Sequence, residues 1–191
     1  MIRRISLLCN TQRISEPDDL LFTYPGDELP DLSLVNCPAC RARGMYQPHG
    51  SYKRYVVDVY RGKIYELQVA VPRVRCTCGH THALLKDTLI PYSQYTLRFI
   101  LTVLKAYFRH SRTVAQICRD FCIAAPTLYR WKRVFLAHRE LWLGLLRSRD
   151  SDPSYFLRSI DHQPHLSSFL HAFFLRAATS FLQLHRNPAY S

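Results

Sequence analysis

The chain has 191 residues, 48% of them apolar, and 26 Lys/Arg against 14 Asp/Glu give a formal net charge of +12. That length fits one domain or two small ones with a packed core, and so basic a balance points to a polyanionic partner or an acidic surface. No run reaches the roughly 18 apolar residues of a membrane span, and the basic start Met1–Cys9 leads into too short an apolar run for a signal peptide, so a cytoplasmic protein is expected, with no membrane partner and with its seven Cys as thiols or metal ligands.

The charge is unevenly placed. Residues 1–36 hold three Arg against six Asp/Glu, residues 41–80 hold eight Lys/Arg against two acids, and residues 97–147 hold ten against two. Arg outnumbers Lys by 21 to 5. Arg favours planar, bidentate contacts to phosphate and guanine, although composition bias gives the same ratio.

Residues 1–36 read as an acidic N-terminal arm. Pro17, Pro25 and Pro30 punctuate it, and Leu20, Leu21, Phe22 and Tyr24 make one short apolar patch able to dock. It carries no chemistry of its own.

Residues 37–92 read as a zinc ribbon. Cys37-Pro-Ala-Cys40 and Cys76-Thr-Cys78 stand 35 residues apart. Between them, Tyr52–Val59 and Ile64–Pro72 are rich in Val, Tyr and Ile and predict two strands, with Arg61-Gly62 as their turn. Zn²⁺ takes four soft or borderline ligands in a tetrahedron, and each tight Cys pair supplies two, so Cys37, Cys40, Cys76 and Cys78 are the expected ligands of one structural Zn²⁺. The single residue between Cys76 and Cys78 is less usual. His80 and His82 are within reach, and either can replace Cys78 as fourth ligand. Four unrelated buried thiols would be the bland alternative, which suits two close pairs poorly. A redox role lacks the βαβ pattern that goes with it. A His80-Thr-His82 nuclease site is disfavoured by its polar middle residue.

Residues 93–149 predict a helical domain. Leu97, Ile100, Leu101, Leu104 and Phe108 form the stripe of a helix over 94–109, widened by Phe99, Val103 and Tyr107, with Ser93 as N-cap. Thr113 with Gln116 is a capping box opening a second helix, whose apolar positions are Val114, Ile117, Cys118 and Phe121. Ile123 plugs the following turn. Pro126 fits only the first turn of a third helix. There Leu128, Trp131 and Phe135 face inward, while Tyr129, Arg130, Lys132 and Arg133 form a basic outer face. Leu141, Trp142, Leu145 and Leu146 continue the helical period. Asp150-Ser-Asp-Pro153 breaks it. Residues 150–191 form a C-terminal helical segment, with a helix from about Leu166 to Leu184. Its face of Phe169, Leu170, Phe173, Phe174, Ala177, Phe181 and Leu182 either closes the core or pairs two chains as a homodimer. His162, His165 and His171 have no ligand spacing and read as surface or cap residues.

Residues 113–135 resemble the helix-turn-helix of insertion-sequence transposases and resolvase-type proteins, matching at Thr113, Val114, Ile117, Thr127, Leu128, Tyr129, Arg130 and Trp131. Cys122 stands in place of the turn Gly and has to adopt a positive φ without its freedom. Ala124 stands in place of a capping Ser, at a cost of about 1 kcal/mol. Residues 37–137 as a whole resemble the front end of such transposases, a zinc ribbon ahead of a helix-turn-helix, and also a family of short bacterial proteins of that layout. The run Pro72–Leu85, with Ile90–Ser93 beyond, carries this second likeness.

The fold class expected is therefore α+β, a small β zinc ribbon followed by a helical helix-turn-helix domain and a C-terminal helix. The resemblance implies a DNA-binding protein of a mobile element or a relative of one, with no catalysis. The helix after Ala124 would read duplex DNA, with the zinc ribbon adding basic contacts. Tyr129 and Arg130 are best placed for base edges, beside Pro126 and the boundary residue Thr127. Arg133 reaches a base or a phosphate. Arg112 and Thr113 hold phosphate at the start of the preceding helix. A separate transposase subunit is a further candidate partner, which the sequence alone does not decide. The enzyme alternative, an active transposase or nuclease or a subunit or remnant of one, needs a carboxylate cluster for metal ions. Asp58, Glu66, Asp87, Asp120 and Glu140 sit singly in basic segments instead. A zinc-ribbon transcriptional regulator is another alternative. An RNA module is disfavoured, since the deep, narrow RNA groove excludes a helix.

Overall fold

The Val-, Tyr- and Ile-rich runs on either side of Gly62 form the longest feature of the protein, a two-stranded ribbon. The computed structural model describes residues 3–7, 31–60, 62–86, 88–146, 152–160, 163–177 and 181–183. The class is α+β. Strands β1 (Arg3–Leu7), β2 (Tyr46–Tyr60), β3 (Lys63–Cys76) and β4 (Thr81–Lys86) make one sheet in the order β1-β4-β3-β2. Pairing is antiparallel between β2 and β3 and between β3 and β4, and parallel between β1 and β4. Tyr60 pairs with Lys63, leaving a two-residue turn in which Gly62 takes φ +76°, as primed hairpin turns require. The other turn residue, Arg61, lies outside the described residues, as do residues 10–30 of the acidic arm.

The strands run further than the apolar runs predict. A bulge between Pro48 and Ser51, with Gly50 at φ +70°, lets β2 continue back to Tyr46. Alternation along the strands then separates two buried faces. Val56, Val69 and Val71 pack with Ala83, Leu85 and Leu89. Val74 and Leu84 pack on the opposite face with Leu32.

Among the described residues six helices follow: α1 (Leu97–Phe108), α2 (Val114–Asp120), α3 (Ala125–Ala137), α4 (Arg139–Leu146), α5 (Pro153–Ser159) and α6 (Gln163–Ala177). The N-cap of α1 is Thr96, not Ser93. The Thr96 hydroxyl accepts from the Phe99 N–H at 3.1 Å, while the Ser93 hydroxyl is occupied by both backbone groups of Tyr95. The helical period does not run unbroken past Ala137, because His138 interrupts it before α4. The final helix starts and ends earlier than 166–184, and the intervening α5 starts at Pro153, capped by the Asp152 carboxylate. Asp150, Ser151 and His162 lie outside the described residues, as do the side chains of His165 and Phe174; His171 is exposed.

A third and larger core joins the helices. Trp142 lies 4.4 Å from the Phe156 ring and stacks on Phe135 at 5.5 Å. Phe169, Leu170 and Phe173 of α6 belong to the same buried cluster, with Phe181 and Leu182. The apolar face of α6 thus closes the core of its own chain. No described helix is long and apolar enough to cross a membrane.

The sheet is pinned to the helices along the outer edge of β2. Val57 donates to the Gln94 carbonyl at 2.7 Å and accepts from the Thr96 N–H at 3.0 Å. The Arg54 guanidinium donates to the carbonyls of Ile90 and Ser93. Asp58, wholly buried, accepts from the Val59 N–H, the Thr96 hydroxyl and the Arg98 guanidinium.

Candidate functional site

Two tight loops bring four sulfurs together. In the first, the Cys37 N–H donates to the Ala42 carbonyl and the Arg41 N–H to the Cys37 carbonyl, each at 2.8 Å, and the Ala39 N–H reaches the Cys37 sulfur at 3.4 Å. Gly44 closes this loop at φ +67°, where a Cβ would stand 2.7 Å from the Ser33 carbonyl oxygen, so no side chain fits. In the second, Gly79 at φ +87° donates to the Cys76 carbonyl at 2.8 Å, and Cys76 donates to the His80 carbonyl at 2.9 Å. The register Tyr46↔Cys76 and a hydrogen bond from the Thr77 N–H to the Met45 carbonyl, 3.2 Å, lay one loop over the other.

The ligand atoms of Cys37, Cys40, Cys76 and Cys78 all lie within 4.8 Å of one another, an arrangement that could hold a metal ion. Cys37 and Cys76 are buried, whereas Cys40 and Cys78 are exposed. Cys37 and Cys78 sulfurs are 3.8 Å apart, and Cys40 and Cys76 sulfurs 3.7 Å. The two histidines flank this cluster. His82 Nε2, buried, sits 3.3 Å from the Cys37 sulfur, and His80 Nδ1 sits 3.5 Å from that of Cys78. Each imidazole therefore touches a sulfur from outside a set that already includes Cys78.

Without a cation the four thiols divide their protons unequally. Burial alone would raise the Cys37 thiol, but the N–H groups of Cys40 and Ala39 and the neighbouring thiols outweigh it and bring it down to about 5. Cys40 moves the other way, to about 12. The Ala42 N–H lowers it, yet burial and hydrogen bonding to the other sulfurs raise it further. Four thiolates in one place repel, and a bound cation is what would let them ionise together. Burial, then the sulfur charges, also raise the Tyr46 phenol, whose ring meets that of His82 edge-on at 6.0 Å.

The second feature is the helix pair α2–α3. The capping box at Thr113 is complete: the Thr113 hydroxyl accepts from the Gln116 N–H at 3.2 Å, and Gln116 Oε1 accepts from the Thr113 N–H at 2.8 Å. The chain reverses through Cys122 at φ +51°, as a non-glycine at that position must. The Ile123 N–H then returns to the Cys118 carbonyl at 3.0 Å, burying the Ile123 side chain. Ala124 caps α3 with backbone alone.

Leu128, Trp131, Val134 and Phe135 are the buried face of α3. Pro126, Tyr129, Arg130 and Arg133 are exposed, and Thr127 is half-buried at the boundary. Lys132 does not join that outer row. Its ammonium donates to the Tyr107 hydroxyl at 2.8 Å and lies 4.9 Å from the centre of that ring, which draws it towards α1. Arg112 and Thr113 are exposed at the start of α2, but Arg112 is already engaged by Asp120 at 3.0 Å. The Asp58–Thr96–Arg98 pin joins residues 38 to 40 positions apart. Its signal was a lone carboxylate inside the apolar run Val56–Val59.

Residues 37–131 match the sequence pattern of a family described as a domain of unknown function (DUF6431). The match begins at the first cysteine of the cluster and ends at Trp131. It therefore takes in both cysteine loops, the ribbon, α1, α2 and the first half of α3. No curated protein and no solved structure matches the chain.

Proposed function

We propose that the protein binds duplex DNA, reading it with α3 as the second helix of a helix-turn-helix, beside a ribbon whose end is closed by a structural Zn²⁺. The observation that carries this is the division of α3. One face buries Leu128, Trp131, Val134 and Phe135, and the other offers Tyr129, Arg130 and Arg133 to solvent beyond a helix start at Ala125 with Pro126 in its first turn. A helix presented in this way fits the major groove, where Arg pairs with guanine O6 and N7. Arg112 and Thr113 stand where such a motif meets phosphate. The likeness of 113–135 to transposase helix-turn-helix segments supports a kinship with mobile-element DNA-binding proteins and a role without catalysis.

The donor set supports zinc. A regular tetrahedron with Zn–S bonds of ~2.3 Å separates its sulfurs by about 3.8 Å, against the 3.8 and 3.7 Å found. Cys37, Cys40, Cys76 and Cys78 would hold the ion. Its contribution is to lock two loops that have little apolar core of their own. Selection of bound sequences from random duplex DNA, at stated salt, tests the reading. An enriched site whose preference at one base pair relaxes with Arg130→Ala supports it; no enrichment at any salt overturns it.

A further inference from the structure

We propose that the outer edge of β2, together with the first cysteine loop, is a second DNA-contact surface that grips phosphate without reading sequence. The proposal rests on the duplex-DNA reading of α3 and adds a separate set of residues to it. Its basis is charge. Residues 32–57 and 67–86 carry seven Lys/Arg and no Asp or Glu. Four thiolates around one Zn²⁺ leave two negative charges, too few to offset them. Three described carboxylates adjoin these stretches: Asp58 is buried on Arg98, while Asp31, which accepts from the Ser33 N–H, and Glu66, paired with Val57 across the ribbon, are exposed and still leave the balance positive.

Exposure singles out where this charge is available. β2 is one of the two edge strands, and Val57 is where its outer side is bonded to the loop before α1. From Gln47 to Lys53, and again at Tyr55, the side chains of both faces are exposed. That stretch offers His49, Tyr52, Lys53 and Tyr55, the last 72% exposed. Arg54 is turned inward to its two carbonyls. Arg41 and Arg43 are exposed in the adjoining cysteine loop. Among the described residues Arg41, Arg43 and Lys53 form no ion pair. Lys53 between Tyr52 and Tyr55 on an open strand, with Arg41 and Arg43 beside it, suits a row of phosphates, which takes charge from the cations and hydrogen bonds from the tyrosines. His49 to Tyr55 spans at most about 20 Å at ~3.3 Å per residue, the length of roughly six steps along the duplex axis at ~3.4 Å each.

The same frame holds both surfaces. Tyr95 bridges to Val57 of β2 and packs edge-on against Trp131 of α3 at 4.9 Å. The reading face lies on the far side of that helix, about one helix diameter (~10 Å) away.

The test uses the zinc-loaded full chain, its selected duplex, a random-sequence duplex and a single-stranded oligonucleotide, titrated between about 50 and 200 mM salt. The variant Arg41→Gln/Arg43→Gln/Lys53→Gln is expected to weaken both duplexes by the same factor and to lower the salt slope by roughly 2–3, at roughly 0.9 per contact. The ratio of selected to random affinity should stay as in the parent chain. Tyr55→Ala, remote from the cysteine loop, carries the test if the triple variant loses zinc; it should weaken both duplexes roughly fivefold, the worth of one hydrogen bond. An unchanged slope for the triple variant and an unchanged affinity for Tyr55→Ala, while Arg130→Ala relaxes preference, overturn the ribbon surface and leave α3 as the reader. Aggregation with an unchanged slope also overturns it, since the cations would then only guard an open strand edge. A loss confined to the single strand overturns it too. A parent chain that binds no duplex sinks both readings together.

Discussion

The carboxylate of Asp58 on β2 holds the guanidinium of Arg98 on α1 at the point where the sheet meets the helices. Asp58 is fully buried, and the Arg98 side chain keeps 31% of its exposure. Asp58→Ala removes the acceptor for the Thr96 hydroxyl and the Val59 N–H as well as the counter-charge. Because Arg98 can turn to water, the expected loss is about 2–3 kcal/mol, below that of a wholly buried pair. Thermal unfolding would read this as a Tm lower by roughly 5–10 °C. An unchanged Tm would show that the pin contributes nothing.

Metal analysis of protein purified without a His tag should give one zinc per chain. Cys78→Ser should loosen it strongly in competition with a chelator. His82→Ala and His80→Ala should loosen it less, because each imidazole touches a sulfur from outside the set. If His80→Ala costs more than Cys78→Ser, the imidazole is the fourth ligand. Metal-free protein with the full-length ribbon intact would contradict a structural role.

Zinc binding should release fewer than four protons at neutral pH. The sign follows from the thiols. Cys37, held down to about 5, is already a thiolate at pH 7 and gives up none. Cys40, pushed up to about 12, is still protonated there and must give one up. Apparent zinc affinity should therefore fall as pH falls, and most steeply below pH 5, where Cys37 also has to lose its proton. Calorimetry in buffers of different ionisation enthalpy counts the protons; a full four at pH 7 would mean Cys37 is an ordinary thiol.

The pairing of Arg112 with Asp120 gives the DNA reading a handle of its own. Arg112→Ala should weaken all duplexes alike and lower the salt slope by roughly 0.9. Asp120→Asn should do the opposite, freeing Arg112 and removing a negative charge, so that random duplex binds more tightly. Arg130→Ala should instead relax preference at one base pair, by roughly 1–3 kcal/mol. Equal, sequence-independent losses for Arg130→Ala and Arg112→Ala, with the fold intact by circular dichroism, would mean that α3 does not read bases.

Two local conflicts in the α2–α3 turn should be correctable. Cys122→Gly relieves a side chain at φ +51° and should stabilise by about 1 kcal/mol. Ala124→Ser supplies the cap that α3 lacks and should add about 1 kcal/mol. Denaturant midpoints test both, and a lower midpoint for Cys122→Gly would mean that its side chain packs favourably.

What was legible in the sequence is what local chemistry dictates. The capping box at Thr113, the buried row Leu128–Trp131–Phe135 and the ribbon turn at Gly62 follow from residues a few positions apart. The four sulfurs were legible because their spacing leaves them little else to do. What stayed hidden depends on distant partners. Nothing near Arg3–Leu7 announces a strand; it becomes one by lying beside β4. Thr96 outranks Ser93 as a cap because Asp58, 38 residues earlier, also takes its hydroxyl. Lys132 looks like a member of the basic row until Tyr107, 25 residues earlier, claims it.

The parallel pairing of β1 with β4 sets an order of assembly. Arg3 is made 79 residues before His82, its partner in the sheet, and at ~5–20 residues per second that is a wait on the order of 4–16 s. The cysteine loops face a shorter version of the same delay, since Cys37 meets Cys78 only 41 residues later. During synthesis the ribbon can therefore zip from its turn at Gly62 outward and trap a metal before the first strand has anything to join. The edge strand is then the last piece of the sheet to arrive, although it is the first to leave the ribosome.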